Sequence, residues 1–239
     1  MFDDQLLQAF ISGFYGYGNY DGKYWFVGIE EHGGELQKDI AQRLNAWDRR
    51  GRSELEDVVD YHREIGITHH FDERAVLQPT WNKIIRVLLG IEGRKPTTAE
   101  VKEYQKNQLA RTNGKSCLIE LLPLPSPKTN VWLYYPKYSK LPFLKRRGDY
   151  IEHVKPQRIA HLKRRIEEHK PEVVVFYSMG YQEDWHEIAG VEFQSTESDG
   201  VKVGKSKETL FVITKHPATT GVTNAYFHEI GQMIASSRV

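Results

Sequence analysis

Four short apolar runs alternate with helical patterns along this chain. The runs occupy residues 24–29, 116–122, 172–178 and 209–214, and each is nearly continuous. Continuous apolar runs of this length are typical of strands that are buried on both faces. Because helical patterns lie between the runs, we predict parallel strands joined by crossover helices, which together form a three-layer α/β/α sandwich.

Apolar spacing and end signals predict three helices. Residues 79–90 begin with a Pro-Thr pair and stop at a glycine. Residues 155–171 have a proline in their first turn and a proline at their end, and residues 223–237 begin with a Thr-Asn cap. An Asp-Gly turn near residue 200 predicts a hairpin before the fourth strand.

Composition restricts the classes of function. Lys and Arg total 33 against 32 Asp and Glu, so the net charge of +1 does not by itself indicate a nucleic-acid partner. The single cysteine excludes an intramolecular disulfide and any metal cluster that needs several cysteines, and it is consistent with a cytoplasmic location. No apolar stretch reaches the length of a membrane span, and we expect no signal peptide and no membrane partner.

Polar and glycine residues follow each predicted strand at its carboxyl end. Ligands of open parallel sheets bind at this edge, so we expect these residues to form one site. They are Gly28, Glu30, Glu31 and His32 after the first strand; Glu120, Pro123, Pro125, Ser126 and Pro127 after the second; Tyr177, Ser178 and Gly180 after the third; and Lys215, His216 and Pro217 after the fourth.

Four segments resemble, in order and spacing, the motifs of the uracil-DNA glycosylase superfamily. "GIEEHGG" (28–34) is similar to its first-strand motifs G-Q-D-P-Y and G-E-A-P-G, and "QPTWNKIIRVL" (78–88) resembles its P-S-L-x-N-I helix. "VVVFYSMGYQ" (173–182) resembles the third strand with its W-G-S-Y-A-Q-like turn, and "ITKHPATTGVTNAYF" (213–227) resembles the His-Pro motif with its following helix.

The resemblance implies an enzyme that cleaves the bond between a flipped base and its sugar. It assigns the positioning of water to Glu30, with Glu31 as the reserve, and a hydrogen bond to the departing base to His216. The residues that would bind the base are Gly28, Glu120, Pro123, Tyr177 and Ser178. The resemblance implies no metal and no organic cofactor.

Glu120 departs from the superfamily pattern, which commonly has an asparagine near the end of the second strand. An ionised carboxylate only accepts hydrogen bonds, so Glu120 is expected to favour an exocyclic amine such as that of cytosine or adenine. The Pro-Tyr of the best-known first motif is also replaced, by residues 32–34. The identity of the base therefore stays open at this point.

Contacts to a nucleic-acid backbone need a local basic surface. Residues 137–170 contain eleven lysines and arginines against four acids, with aromatic residues between or just before them. The residues expected to contact nucleic acid are Ser126, Lys145, Arg146, Arg147 and Lys215, together with Thr219, Thr220 and Val222 at the position of the superfamily's wedge loop.

Each of these signals also has a structural explanation. The paired acids could cap a helix, His216 could bind a loop, Glu120 could pair with a buried cation, and the basic stretch could be a solvated helix face. A further cluster suggests a metal site, but adjacent histidines rarely bind one ion, so we predict none. That cluster is His62, His69, His70 and Asp72.

We therefore predict one uracil-DNA glycosylase-like domain over residues 1–239. It has a central, four-stranded, mainly parallel sheet in the order 2-1-3-4 and a long insertion over about residues 32–115. The expected function is hydrolysis of the N-glycosidic bond of a modified or deaminated base in DNA or in another nucleobase-containing ligand. The alternatives are a non-catalytic module that binds nucleic acid or a nucleotide, and a metal-dependent hydrolase that uses the paired carboxylates.

Overall fold

The computed structural model describes residues 1–34, 36–128 and 131–237, and this part of the chain forms an α/β protein. Its strands are β1 (Gly16–Gly18), β2 (Tyr24–His32), β3 (Leu55–Glu56), β4 (Ser116–Ser126), β5 (Val173–Tyr177), β6 (Gln194–Ser195), β7 (Lys202–Lys205) and β8 (Leu210–Thr214). Its helices are α1 (Asp4–Gly13), α2 (Gln37–Arg49), α3 (Val58–Glu64), α4 (Pro79–Ile91), α5 (Thr98–Asn107), α6 (Arg147–His169), α7 (Gln182–Ala189) and α8 (Asn224–Ser236).

The sheet has the strand order β3-β1-β4-β2-β5-β8-β7-β6 within the described residues. Its four middle strands, β4-β2-β5-β8, are parallel and stand in the predicted order of second, first, third and fourth. The predicted count of four strands is wrong, because the sheet has eight strands and is mixed. β1 pairs antiparallel with β4 and β7 antiparallel with β8. Strands as short as β1 and β3 leave no apolar run that sequence reading could detect.

Helices cover both faces of the sheet. Alternate residues of the parallel strands point to opposite sides, so that Phe26 packs in one apolar cluster while Trp25 and Val27 pack in the other. The first cluster includes side chains of α1–α5 and α8, and the second includes side chains of α6 and α7. The predicted hairpin near residue 200 is present as β6 and β7.

Helix α6 is longer than predicted, because it begins at Arg147 rather than near residue 155 and contains Pro156 in its interior. Its buried face recurs every fourth residue on both sides of that proline, at Tyr150, Val154, Arg158, Leu162 and Ile166. Tertiary packing therefore continues the helix across a residue that usually marks a helix start. No helix in the described part of the chain is long and apolar enough to cross a bilayer.

Arg158 is a buried cation that joins three elements. Its guanidinium donates to the carbonyl oxygens of Leu121 (3.0 Å), Glu120 (2.7 Å) and Phe14 (2.7 Å). It also lies 3.5 Å from the centre of the Tyr15 ring, and the carbonyl oxygen of Tyr15 accepts from the backbone N–H of Glu120 (2.9 Å). The backbone of Glu120 is thus fixed from two sides by α6 and by the segment that follows α1.

Candidate active site

A pocket of about 330 Å³ lies at the carboxyl ends of the parallel strands. This volume falls within the range of roughly 300–1,000 Å³ that is usual for small-molecule sites. Glu30 and Glu31 from β2, Glu120 from β4, Tyr177 from β5 and His216 after β8 all line it. The structure therefore brings both candidate acids, the candidate hydrogen-bond donor and two candidate base-binding residues to one place.

Other residues that line the pocket come from parts of the chain that sequence reasoning did not assign to the site. They are Tyr17, Arg43, His62, His70 and Trp81. The two histidines had suggested only a metal site, and the described residues include no group of three or more His, Cys, Asp or Glu side chains placed to hold a metal ion. No sequence signal identified Arg43, which lies in the ordinary amphipathic helix α2.

Glu31 is held in a charged network at the back of the pocket. Its Oε2 atom accepts from the Tyr17 hydroxyl (3.0 Å) and from Nη1 of Arg43 (2.9 Å), and its Oε1 atom lies 3.7 Å from Nε2 of His62. Burial alone would raise the pKa of Glu31, but Arg43, His62 and Tyr17 outweigh it and lower the pKa to about 2. Glu31 is therefore ionised and fully engaged by its neighbours.

Glu30, the neighbouring acid, is less strongly held. Its partner is Arg147, whose Nη2 atom lies 2.7 Å from Oε2 of Glu30. Burial raises the pKa of the Glu30 carboxyl above its usual value even though Arg147 opposes the shift. A carboxylate whose environment disfavours its charge is better suited than Glu31 to accept a proton or to face a cation.

Glu120 and Tyr177 form a hydrogen-bonded pair above Gly28. The Tyr177 hydroxyl donates to Oε1 of Glu120 (3.0 Å), while Oε2 of Glu120 is buried and has no hydrogen-bond partner among the described residues. A Cβ atom at position 28 would lie 2.4 Å from the Tyr177 hydroxyl and 2.5 Å from Oε2 of Glu120. Only glycine leaves room for this pair, so Gly28 acts by allowing close approach rather than by turning the chain.

The Glu120 carboxyl is predominantly protonated at neutral pH. Burial raises its pKa to about 8, helped by the negative charges of Glu31 and Glu30, and the hydrogen bond from Tyr177 only partly offsets the shift. The raised pKa therefore favours the acid form over the ionised acceptor that the sequence suggested. A carboxylic acid offers one O–H donor beside an acceptor oxygen, which is the same pair of functions that an asparagine amide provides.

His216 presents an N–H to the pocket. Its Nδ1 atom accepts from the backbone N–H of Ala218 (3.0 Å), which places the proton of the neutral ring on Nε2. Burial and the nearby charge of Lys83 lower the pKa of His216 below its usual value. The ring also lies against Tyr177, with 5.8 Å between centroids. This neutral ring matches the donor that the resemblance implies.

The rim of the pocket includes the N-terminus of α4. Oε1 of Gln78 caps this helix by accepting from the backbone N–H of Trp81 (2.7 Å). The fully buried Gln105 holds the preceding loop, because its Nε2 atom donates to the carbonyl oxygens of His70 (2.9 Å) and Val76 (3.0 Å). Trp81 and His70, with ring centroids 5.5 Å apart, thus form a fixed aromatic wall.

Several residues assigned to base or nucleic-acid binding lie elsewhere. Pro123 is buried within β4, and the carbonyl oxygen of Ser178 accepts a hydrogen bond from the Trp185 indole N–H. Neither residue lines the pocket. The Ser126 hydroxyl is buried and donates to carbonyl oxygens within its own loop. Of the proposed wedge residues, Thr219 and Thr220 are exposed and Val222 is partly buried, while Lys215 is paired with Asp199.

Most cations of the basic stretch contact other groups of the same protein. Arg147 pairs with Glu30, Arg146 with Asp149, and Arg158 is buried on carbonyl oxygens. Others pair with acids of distant segments or of the same helix, namely Lys155 with Asp184, Arg165 with Glu54, Arg164 with Glu168 and Lys170 with Glu208. Lys137, Lys140 and Lys145 are exposed and have no ion pair with an acid in the described residues. Lys163 is likewise exposed without an acid partner, so the described residues leave four of the eleven cations of this stretch exposed and without an ion pair.

Comparison with known proteins adds no family assignment. No protein-family model matches this chain, and no curated protein sequence matches it either.

Proposed function

We propose that this protein is a glycosylase-like hydrolase that cleaves the N-glycosidic bond of a base held in the pocket described above. The observation that carries the proposal is the presence of three differently tuned groups around one pocket. These groups are the partly buried carboxyl of Glu30, the protonated Glu120 and the Nε2–H of neutral His216. Together they match the three needs of the reaction.

Glu30 serves the sugar side of the bond. When the bond breaks, positive charge develops on the sugar, and a carboxylate stabilises that charge and orients the attacking water. Glu30 suits this role better than Glu31, because Arg43 already neutralises Glu31 and the Tyr17 hydroxyl donates to the same carboxylate. Arg147 keeps the Glu30 side chain in place while burial keeps its carboxyl responsive.

His216 serves the base side of the bond. The departing base carries negative charge on a ring oxygen or nitrogen, and a fixed N–H donor stabilises it. A neutral ring with its proton on Nε2 supplies this donor at neutral pH without first gaining a proton. The bond from Ala218 to Nδ1 fixes the tautomer and the direction of the ring together.

Glu120 serves recognition. Its protonated carboxyl can donate to a carbonyl oxygen and accept from a ring N–H of the same base edge. The acid therefore fits a base with an adjacent carbonyl and N–H, in place of the exocyclic amine that an ionised Glu120 would select. The rings of Trp81 and Tyr177 supply flat surfaces against which a base stacks.

Excision assays test this proposal directly. The protein is incubated with single- and double-stranded oligonucleotides that contain uracil, hypoxanthine or xanthine, with EDTA present, and abasic sites are counted. We expect abasic sites with at least one of these bases and their loss in Glu30→Gln. Binding without cleavage that is unchanged in Glu30→Gln would instead favour a non-catalytic module. Activity that disappears only with EDTA would favour a metal-dependent hydrolase.

A further inference from the structure

We propose that Lys83 is a positioning residue for His216, because its ammonium group fixes the loop that directs the imidazole into the pocket. The inference rests on the proposed function for its catalytic meaning, although the loop contact itself does not. Lys83 lies in the second turn of α4 and does not line the pocket. It therefore acts through another residue rather than on a substrate.

The ammonium group ties both ends of the His216 loop to α4. Nζ of Lys83 donates to the carbonyl oxygen of Pro217, which follows His216 directly, and to that of Val222 (2.9 Å). Within the loop, the backbone N–H of Thr219 donates to the carbonyl oxygen of His216 (2.9 Å). One side chain thus closes a short loop whose own hydrogen bonds are few.

Lys83 has no acidic partner within the described part of the chain. Burial lowers the pKa of its ammonium, which shows that the charge costs free energy at this place. The Phe227 ring lies 5.7 Å from Nζ and is the remaining contact of the cation. A neutral donor could bind the same two carbonyl oxygens at a lower cost in free energy. The charge of Lys83 therefore calls for an explanation beyond these two hydrogen bonds.

That explanation is the neighbouring imidazole. The positive charge of Lys83 opposes protonation of His216, and an imidazolium would have to give up the hydrogen bond that its Nδ1 accepts from Ala218. The titratable groups that face His216 are Lys83 from α4 and Tyr177 from β5, with Glu120 hydrogen-bonded to Tyr177. Lys83 therefore combines a geometric effect on the loop with an electrostatic effect on the ring.

Histidine NMR tests the contact without relying on any activity. The ¹⁵N resonances of His216 are followed from pH 5 to pH 8 in the intact protein and in Lys83→Met, Lys83→Arg and Lys102→Met, the last being an exposed lysine on α5. We expect the Nε2–H tautomer in the intact protein and a midpoint closer to the usual value of about 6.5 in Lys83→Met. Lys83→Arg should restore much of the original behaviour, and Lys102→Met should change nothing.

Activity gives a second, separate measurement. If the protein excises a base, Lys83→Met should lower kcat by on the order of 10- to 100-fold with little change in KM. The reason is that the His216 donor, which this change displaces, acts mainly in the transition state. An unchanged His216 titration and tautomer in a folded Lys83→Met variant would overturn the proposal. Absence of excision in the intact protein would overturn only the proposed function. If Lys83→Met does not fold, Lys83→Gln takes its place, because it keeps a donor without the charge. An upward shift of the His216 titration midpoint in Lys83→Gln supports the proposal, and an unchanged midpoint contradicts it.

Discussion

The Tyr177 hydroxyl donates to Oε1 of Glu120 over 3.0 Å, and the two side chains meet above a glycine that leaves no room for a Cβ atom. This contact directs the second oxygen of Glu120 away from Tyr177. Burial of the carboxyl raises its pKa to about 8, although the hydrogen bond from Tyr177 by itself lowers the pKa.

Protonation of Glu120 should be visible in stability. Its pKa is about 8 in the folded protein and near 4.5 when unfolded, so the folded state holds the proton more tightly. Stability should therefore fall as pH rises from about 4.5 to 8, by on the order of a few kcal/mol. Glu120→Gln should lack this loss, which chemical denaturation of both proteins at several pH values measures.

Glu187→Gln is the matched control, because Glu187 is exposed on α7. Its stability relative to the unsubstituted protein should not change with pH. If Glu120→Gln gained no stability relative to the unsubstituted protein between pH 5 and pH 8, Glu120 would have to be ionised in the folded protein across this range.

The adjacent acids should respond differently to the same substitution. Glu31→Gln should destabilise the protein by about 3 kcal/mol at neutral pH, because it leaves the buried Arg43 without its counter-charge. The pKa of Glu31 is lowered to about 2, so this contribution is complete above pH 4.5 and is lost as pH falls towards 2. Denaturation from pH 3 to pH 7 should show the difference shrinking on the acid side.

Two variants separate this network from ordinary charge loss. Asp48→Asn breaks the exposed pair with Arg52 and should cost less than about 1 kcal/mol. Glu30→Gln should abolish excision. It also leaves the largely buried Arg147 without its counter-charge, so excision is measured at a temperature where circular dichroism shows the variant folded. A Glu30→Gln variant with full excision would move the water-positioning role away from this residue.

The dependence of excision on pH should have limits on both sides. On the acid side, the rate should rise as Glu30 loses its proton and as His216, whose pKa is lowered, becomes neutral. Above about pH 8 it should fall, because Glu120 loses its donor proton. Single-turnover rates from pH 5 to pH 10 measure this profile, and Glu120→Gln should extend the plateau to higher pH. A decline that Glu120→Gln leaves in place would assign the alkaline limit to another group.

Contacts to a nucleic-acid backbone should depend on the exposed, unpaired lysines of residues 137–145. A combined change of Lys137, Lys140 and Lys145 to Ala should weaken oligonucleotide binding and reduce its salt dependence, by about 0.9 in the log–log slope for each lost contact with duplex phosphate. Titrations at several salt concentrations measure this slope. The same change at Lys102, Lys205 and Lys207, three exposed lysines elsewhere, should have little effect; equal effects would indicate non-specific attraction.

The four parallel strands and the β6–β7 hairpin could be predicted from the sequence, whereas β1 and β3 could not. Parallel strands that are buried on both faces need continuous apolar residues, and β2, β4, β5 and β8 show them. Strand β3 lies at the edge and pairs with β1, which in turn pairs with β4, and the two or three residues of these strands carry no such pattern. The start of helix α6 was also predicted wrongly, because Pro156 was taken to lie in its first turn but lies inside the packed helix.

The site was only partly predictable for a similar reason. The strand ends located Glu30, Glu120 and His216, because a parallel sheet brings its carboxyl ends to one edge. The protonation state of Glu120 depends on its contacts with Tyr177 and Gly28, and the ion pair of Glu31 depends on Arg43. Neither follows from the local sequence. The ion pairs of the basic stretch could not be predicted either, because partners such as Glu30 and Asp184 are distant along the chain.

Arg158 gives the first fifteen residues a part in the pocket. The guanidinium holds the carbonyl oxygens of Phe14 and Glu120 at once, and the Tyr15 carbonyl holds the Glu120 N–H. A chain shortened to begin at β1 would leave this cation with fewer acceptors and one side of the Glu120 backbone unsupported. Helix α1 thus helps to hold the Glu120 backbone in place, although none of its residues lines the pocket.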